Sequence, residues 1–319
     1  MNRWRTLRFD FMAMASPCSV QLDGCDERAM CRAADAAMAE VRRIEHAFSR
    51  YREDSIVSRI NRAAGNGAWV DLDTETASLL DFADQLWRLS DGLFDITSGV
   101  LRQAWDFKRA RLPEPATLHA LLPRVGWQQV QREGTRVRLT QPGMELDFGG
   151  FGKEYAADRA AAVLLHHGMV HALVNLGGDL HALGPRDVPG LEGTPWQIDI
   201  QHPRPDPAQP EQTLARLALG RGGLTTSGDY ERFFLHEGQR YCHILNPRTS
   251  WPVSHWQSVS VLAANATAAG ALSTIAMLQG ESAPDWLHSQ GVRYLAVRHD
   301  GQVLRSPAME HASSPMPLN

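Results

Sequence analysis

One stretch of the sequence, residues 144–163 (MELDFGGFGKEYAADRAAAV), constrains the fold most, because its patterning changes at a glycine turn. Leu146 and Phe148 fall on one face of its first part and Asp147 on the other, which predicts a short strand. The pair Gly149–Gly150 predicts a tight turn, since glycine accepts backbone angles and close approaches that other residues avoid. Apolar residues then recur at steps of three and four, so a helix is expected to follow.

The start of this helix has the features of an anion site. Lys153 follows Gly152, and free amide groups together with the helix dipole favour a negative charge at such a start. A phosphate group is the expected ligand. The alternative is a tight strand-to-helix turn with an exposed lysine and no ligand, which has the same sequence pattern. A second predicted strand also ends in glycines and a carboxylate, in the segment 176–179 (LGGD). The two strand ends are expected to line one cleft.

Composition narrows the class of protein. The chain has 319 residues, which suits one large domain or two modest ones, and 43% of them are apolar, which is ample for a core. A net charge of -4 gives no general attraction to nucleic acid or to an anionic membrane. No apolar run reaches the length of about 18 residues that a spanning helix needs. A short apolar run near the N-terminus and four cysteines without C-x-x-C spacing predict a cytoplasmic protein.

Other elements follow from capping residues and turns. Asp26 is expected to cap a long helix that ends at about Phe48. Residues 9–22 predict one or two strands, broken near Pro17, and Glu133-Gly134 predicts a hairpin turn. The last dozen residues are rich in proline and serine and are expected to be disordered.

A histidine near the end of another predicted hairpin is a candidate catalytic residue. The hairpin turns at 237–238, its return strand carries His243, and an arginine-bearing turn follows at 246–249. Such a histidine can carry a proton while the arginine holds an anion, but a histidine in a strand is also commonly structural. Cys242 is not expected to act with His243, because neighbouring side chains of a strand point to opposite faces.

Eight segments are informative as an ordered set. They are Ala13-Met14, SRYREDSIVSRIN, DGLFDITSG, LDFGGFGKEYAADRA, ALVNLGGDLHALG, TSGDYERFF, HILNPRT and AGALSTIAM. In this order, and over nearly the whole chain, they resemble the motifs of the ApbE family of FAD:protein FMN transferases.

The resemblance implies both a fold and a reaction. The implied fold is α+β, with mixed and antiparallel sheets flanked by helices and FAD in a cleft between two lobes. One such domain would span residues 1–305, and residues 306–319 would form a tail. The implied reaction cleaves the FAD pyrophosphate, attaches FMN through a phosphodiester to a threonine of an acceptor flavoprotein and releases AMP, with magnesium as the usual metal.

The resemblance also implies roles for particular residues, carried over by position. The adenosine end of FAD would be held by Met14, Tyr51, Leu93, Phe94 and Asp95. Further contacts with FAD would come from Asp147, Lys153 and Ile244, and His243 would lie nearest the proton transfer. The metal would face the carbonyl of Gly150 and the side chain of Thr274, with Ser273 nearby.

The chain departs from the family pattern at the metal. Gly270 stands where the family has an aspartate ligand, and no Asp or Glu lies between Gln239 and Gly280. Magnesium prefers charged oxygen ligands, so weakened metal binding is expected, and restoring the carboxylate with Gly270→Asp is expected to strengthen it. Glu154 stands where glycine is common and is a candidate substitute oxygen.

Two alternatives to transfer stay open at this point. A protein without the metal ligand could bind FAD and leave it intact. The same site could instead pass the FMN half to water, as an FAD pyrophosphatase.

Overall fold

Alternating apolar residues and glycine turns give fifteen strands and seven α-helices in residues 4–307, the part of the chain that this computed structural model describes. In chain order the strands are β1 (Arg5–Ala13), β2 (Ser16–Gly24), β3 (Val70–Asp71), β4 (Val130–Glu133), β5 (Arg136–Leu139), β6 (Ala172–Leu176), β7 (Asp179–Ala182), β8 (Trp196–Gln201), β9 (Thr213–Leu219), β10 (Gly222–Gly228), β11 (Phe233–His236), β12 (Gln239–Cys242), β13 (Trp256–Ala263), β14 (Arg293–Arg298) and β15 (Val303–Arg305). The α-helices are α1 (Glu27–Phe48), α2 (Ile56–Arg62), α3 (Thr74–Leu89), α4 (Pro115–Leu121), α5 (Gly152–His166), α6 (Ala266–Gln279) and α7 (Ala283–Ser289). Nearly all of the predicted tail, at 308–319, lies outside the described residues.

One antiparallel sheet organises the chain, with eight strands in the order β1-β2-β6-β7-β10-β13-β14-β15. Side chains alternate across it: Val174 of β6 joins the core beneath α1 and α5, whereas Leu173 joins a second core beneath the hairpin β8–β9. Smaller sheets, β3-β5-β4 and β11-β12, lie outside it. The α+β class with antiparallel sheets flanked by helices is therefore confirmed, while the division into two lobes stays a prediction.

A carboxylate on α5 fixes the start of α6. Asp158 accepts hydrogen bonds from the amides of Ala266 and Thr267, at 2.8 and 2.9 Å, and Nδ1 of His181 lies 2.5 Å from the same side chain. Asn265 caps this helix through its side chain. Negative charge is favourable at a helix N-terminus, so Asp158 joins α5 and α6 at this point.

The strand predicted before the glycine turn is wrong, although its alternation is right. Leu146 and Phe148 are buried, but the segment pairs with no neighbouring strand. The side chain of Asn61 accepts from the amide of Leu146 at 2.7 Å and donates to its carbonyl at 3.0 Å, and the amide of Asp147 donates to the carbonyl of Ile96. These contacts replace the ladder that a strand would need.

The break predicted near Pro17 is also displaced. Pro17 lies within β2, opposite Met12 of β1. The chain turns instead at Met14 and Ala15, which have φ angles of 51° and 56°. The helix capped by Asp26 and the hairpin that turns after Glu133 agree with the prediction.

The described residues contain no helix that is long and apolar enough to cross a membrane. Cys18, Cys25, Cys31 and Cys242 are free thiols. A cytoplasmic location stays a prediction.

Candidate functional site

The turn before α5 is shaped by an aromatic ring. A Cβ atom at Gly150 would lie 2.8 Å from Cζ of Phe94, and neither Gly149 nor Gly150 has a positive φ. Glycine is therefore required at position 150 for the close approach, not for a special backbone angle. Phe94 in turn stacks on Phe151, with 6.3 Å between ring centroids. No side chain caps α5, so its N-terminus keeps the anion-binding character predicted from the sequence.

An ion pair joins the glycine turn before α5 to the segment 176–179. Nζ of Lys153 lies 2.8 Å from a carboxylate oxygen of Asp179 and 3.3 Å from the carbonyl oxygen of Gly177. Burial opposes the charge on Lys153, but the carboxylate of Asp179 outweighs it and raises the pKa of the lysine. Lys153 is therefore a fixed positive charge, and the predicted proximity of the two segments is confirmed.

A buried carboxylate occupies the space beside Gly270. A Cβ at Gly270 would lie 2.5 Å from Cγ and 2.6 Å from Oε1 of Glu154. Glu154 is only 8% exposed, and its Oε2 has no hydrogen-bond partner among the described residues. Burial, reinforced by the charge of Asp179, raises the pKa of Glu154 well above its ordinary value. Glu154 and Gly270 thus share one volume, and a side chain at both positions would collide.

Three hydroxyl groups lie close together at a point one turn of α6 beyond Gly270. Oγ of Ser227, at the end of β10, lies 2.8 Å from Oγ of Ser273 and 3.0 Å from Oγ1 of Thr274. Ser273 also donates to the carbonyl of Gly270 at 3.0 Å. Residues spaced by three and four share a helix face, so this hydroxyl cluster and Glu154 lie along the same side of α6. Ser227 and α6 are far apart in the sequence, so no spacing rule predicts this partnership.

His243 lies just beyond β12 and reaches solvent. Its backbone amide donates to the carbonyl of Arg232 at 3.0 Å. Partial burial and the positive charges of Arg232 and Lys153 lower the pKa of the imidazole to about 4. Because the ring also reaches solvent, water offsets part of this effect, yet the imidazole is neutral at pH 7 in either case. The next residue, Ile244, is half-buried and accepts a hydrogen bond from Val253 through its carbonyl.

Two arginines surround Asp147. Its carboxylate lies 2.9 Å from Arg102 and 3.4 Å from Arg50, and it accepts from the amide of Gly149 at 2.9 Å. The guanidinium of Arg50 also lies 4.5 Å from the ring centroid of Tyr51, which is 77% exposed. Sequence reasoning did not find Arg102, which lies in a short 3₁₀ segment without a motif of its own.

The turn that carries Met14 adjoins the lysine pair. Met14 is half-buried, and its amide donates to Glu45 at 2.8 Å. Three residues on, the carbonyl of Pro17 accepts from the amide of Gly177, whose own carbonyl faces Lys153. Met14 therefore lies near the ion pair of Lys153 and Asp179, whereas Tyr51 lies beside Arg50 and Asp147.

Leu93, Phe94 and Asp95 are buried. The carboxylate of Asp95 accepts from the amide and hydroxyl of Thr97, at 2.8 and 2.6 Å, and from the amide of Trp127 at 2.9 Å. Burial raises the pKa of Asp95 despite these bonds. Both carboxylate oxygens are thus used within the protein, which gives Asp95 a structural role in this loop.

We expect Asp95→Asn to lower the free energy of unfolding by about 1–3 kcal/mol. An amide keeps only one acceptor oxygen, so its NH₂ group must face one of the N–H donors of Thr97 or Trp127. Urea unfolding monitored by circular dichroism measures the change. Asp10→Asn is the matched control, because Asp10 is exposed and, within residues 4–307, its one ion pair is with Arg8 at the surface. Equal stabilities for the two variants would contradict the structural role.

A cavity of about 860 Å³ lies between the main sheet and the hairpin β8–β9. It adjoins the lysine pair at Gly177, Gly178 and Glu231. Leu173 of β6 and Trp196 of β8 also line it, and both belong to the core on the side of the main sheet opposite α5. It therefore opens beside the site described above and does not contain it.

Known proteins share this fold and these motifs. The model of the ApbE family matches residues 14–296. Proteins named FAD:protein FMN transferase are 34% identical in Treponema pallidum (74% of this chain, 68% of the relative) and 31% identical in Klebsiella pneumoniae (82% and 79%). The crystal structure of the ApbE protein of Thermotoga maritima has a TM-score of 0.88 at 29% identity, covering 98% of this chain and all of the other (100%). The apo flavinyl transferase ApbE of Pseudomonas stutzeri has a TM-score of 0.83 at 26% identity, covering 99% of each. The chain belongs to the ApbE family.

Proposed function

We propose that this protein is an FAD:protein FMN transferase that acts in the cytoplasm on a threonine of an acceptor flavoprotein. The names of its relatives in Treponema pallidum and Klebsiella pneumoniae support this activity. The observation in this chain that carries the proposal is the position of Lys153, which is a fixed positive charge at the open start of α5. A positive charge, free amides and a neutral base are what the attack of a hydroxyl on a pyrophosphate needs.

The proposed reaction exchanges one P–O bond for another. The threonine oxygen attacks the phosphorus of the FMN half and forms a new P–O bond. The bond from that phosphorus to the bridging oxygen breaks, and its electron pair leaves with AMP. His243 accepts the proton of the threonine hydroxyl, which a neutral imidazole is able to do. Lys153 balances the negative charge of the pyrophosphate as it is transferred.

The remaining predicted residues are proposed to bind FAD. Met14 is half-buried and Tyr51 is exposed, so both offer thioether or aromatic surface to a purine. Leu93 and Phe94 are buried, so they are proposed to support the loop on which that contact forms. Asp147, beside Arg50, and Ile244, next to His243, are proposed to contact FAD directly. The contacts of Asp95 within the protein support an indirect role, in which it holds the loop of Phe94. The exposure of Tyr51 supports a contact that forms only when FAD binds.

The residues present fit a magnesium ion held jointly with substrate phosphates. Within residues 4–307 no cluster of three or more His, Cys, Asp or Glu residues could hold a metal alone. Magnesium is commonly bound through one or two carboxylates together with phosphate oxygens, and the unpartnered oxygen of Glu154 beside the hydroxyls of Ser273 and Thr274 meets that description. Bound there, the ion would neutralise pyrophosphate charge.

Transfer is expected to keep its rate as the pH falls from 8 to about 5. A general base loses activity when it becomes protonated, and burial together with the charges of Arg232 and Lys153 lowers the pKa of His243 from 6.5 towards about 4, so the loss of rate is expected below pH 5. An unperturbed histidine would lose half of its activity near pH 6.5. Single-turnover transfer measured across this range at saturating FAD tests the prediction. A half-maximal rate near pH 6.5 would show that neither burial nor the positive charges of Arg232 and Lys153 perturb His243.

Mass spectrometry of an acceptor peptide tests the proposed function. The protein is incubated with FAD and a threonine-containing peptide that a known family member modifies, with and without magnesium. A metal-dependent increase in peptide mass equal to one FMN supports the transferase. Intact FAD and an unmodified peptide would instead identify an FAD-binding protein. FMN and AMP without an adduct would identify a pyrophosphatase.

A further inference from the structure

We propose that the carboxylate of Glu154 binds the divalent cation of this site, in the space that a side chain at position 270 would otherwise take. The inference rests on the proposed function, because it names the metal ligand of the same site. It also replaces the expectation that loss of a carboxylate from α6 weakens the metal site.

The first observation is steric. The nearest atoms to a Cβ at Gly270 are Cγ, Oε1 and Cδ of Glu154, all within 2.8 Å. A carboxylate that extended from α6 at position 270 would therefore enter the volume that the Glu154 carboxylate already fills from α5. An aspartate at position 270 and Glu154 would thus place the same chemical group in the same volume, one from α6 and the other from α5.

The second observation is an unsatisfied group. Glu154 is buried, yet its Oε2 has no hydrogen-bond partner in residues 4–307. Lys153, the neighbouring cation, is paired with Asp179 and not with Glu154. Leaving a buried carboxylate without partners is costly, so such groups normally pair with a cation or coordinate a metal. A cation at Oε2 removes this cost.

The third observation concerns the oxygen-bearing groups that lie near Glu154. Gly270, Ser273 and Thr274 occupy one face of α6, and the hydroxyls of Ser273 and Thr274 meet Ser227 within 3.0 Å. These groups offer neutral oxygen atoms, and Glu154 adds a carboxyl oxygen that carries negative charge once a cation binds. Hard divalent cations take such oxygen sets and complete them with water or phosphate.

Titration of Mn²⁺ into the full chain without FAD tests the assignment, with free Mn²⁺ followed by electron paramagnetic resonance. We expect Glu154→Gln to weaken Mn²⁺ binding by about tenfold or more, since the variant loses the charged oxygen ligand. Glu281→Gln, at an exposed glutamate, controls for the change in net charge.

An exchange of the two positions gives the sharper result. Gly270→Asp alone is expected to destabilise the protein, since its side chain would collide with Glu154. In the double variant Glu154→Ala/Gly270→Asp the volume is free again, and Mn²⁺ affinity is expected to recover to near that of the natural protein. Loss of Mn²⁺ affinity in Glu154→Ala and its return in the double variant support metal binding, whereas a Glu154 that only fills space leaves the affinity of Glu154→Ala unchanged.

The outcomes separate this inference from the proposed function. Unchanged Mn²⁺ affinity in Glu154→Gln, or no Mn²⁺ binding by the natural protein at millimolar concentration, overturns the metal assignment even if FMN is transferred. Binding that depends on Glu154 in a protein that transfers no FMN keeps the metal site and overturns the transferase.

Discussion

His243→Asn is expected to slow FMN transfer by roughly 10²–10⁴-fold, the usual contribution of a positioned general base. Asparagine keeps the size and polarity of the ring but cannot accept the threonine proton. Binding of FAD is expected to change little, because His243 accepts the threonine proton, whereas Lys153 balances the negative charge of the FAD pyrophosphate. Single-turnover transfer followed by mass spectrometry gives the rate, and fluorescence titration gives the FAD affinity.

His288→Asn is the matched control for this substitution. His288 is an exposed residue of α7 and is expected to tolerate the change without loss of transfer. A His243→Asn protein as active as His288→Asn would remove His243 from the reaction. Equal losses of rate and of FAD affinity in His243→Asn would assign the residue to binding.

Lys153→Met is expected to reduce transfer by roughly 10²–10³-fold, comparable to the loss of one group that stabilises developing charge. It also leaves Asp179 buried without its partner, which is expected to cost about 2 kcal/mol of stability. This cost is below that of a fully buried pair, because the side chain of Lys153 is 31% exposed. Transfer rates and urea unfolding measure the two effects separately.

The double variant Lys153→Met/Asp179→Asn distinguishes catalysis from folding. Removing both charges abolishes the unpaired carboxylate, so most of the lost stability is expected to return. Transfer is expected to stay low, because the positive charge at the start of α5 is still missing. Recovery of transfer together with stability would show that Lys153 acts only through the fold.

Much of the fold follows from local patterns. Asp26 predicts the start of α1, and the alternation of buried and exposed residues in the segment of Leu146 and Phe148 is correct. The strand itself is not formed, because Asn61 supplies the hydrogen bonds from a distant helix. Periodicity reports which face of a segment is buried, whereas ladder pairing depends on which neighbours the folded chain provides.

The candidate site was predictable to a lesser degree. Lys153 and the glycine turn carry their own signal, since a helix start beside a lysine favours an anion whatever surrounds it. The contact of Glu154 with Gly270 joins positions on two helices that are far apart in the sequence, and no spacing rule reveals it. The arginines around Asp147 are of the same kind, because Arg102 lies in a segment without a motif.

The hydrogen bonds of Asp158 hold α5 and α6 in a fixed position relative to each other before any ligand binds. Its carboxylate on α5 is bonded to the first amides of α6, so the helix that carries Lys153 and Glu154 cannot shift relative to the helix that carries Ser273 and Thr274 without breaking those bonds. The oxygen atoms proposed to hold the metal are therefore in register before any ligand arrives. Little binding energy is then spent on bringing them together, and the affinity of the site reflects its chemistry more than the cost of ordering it.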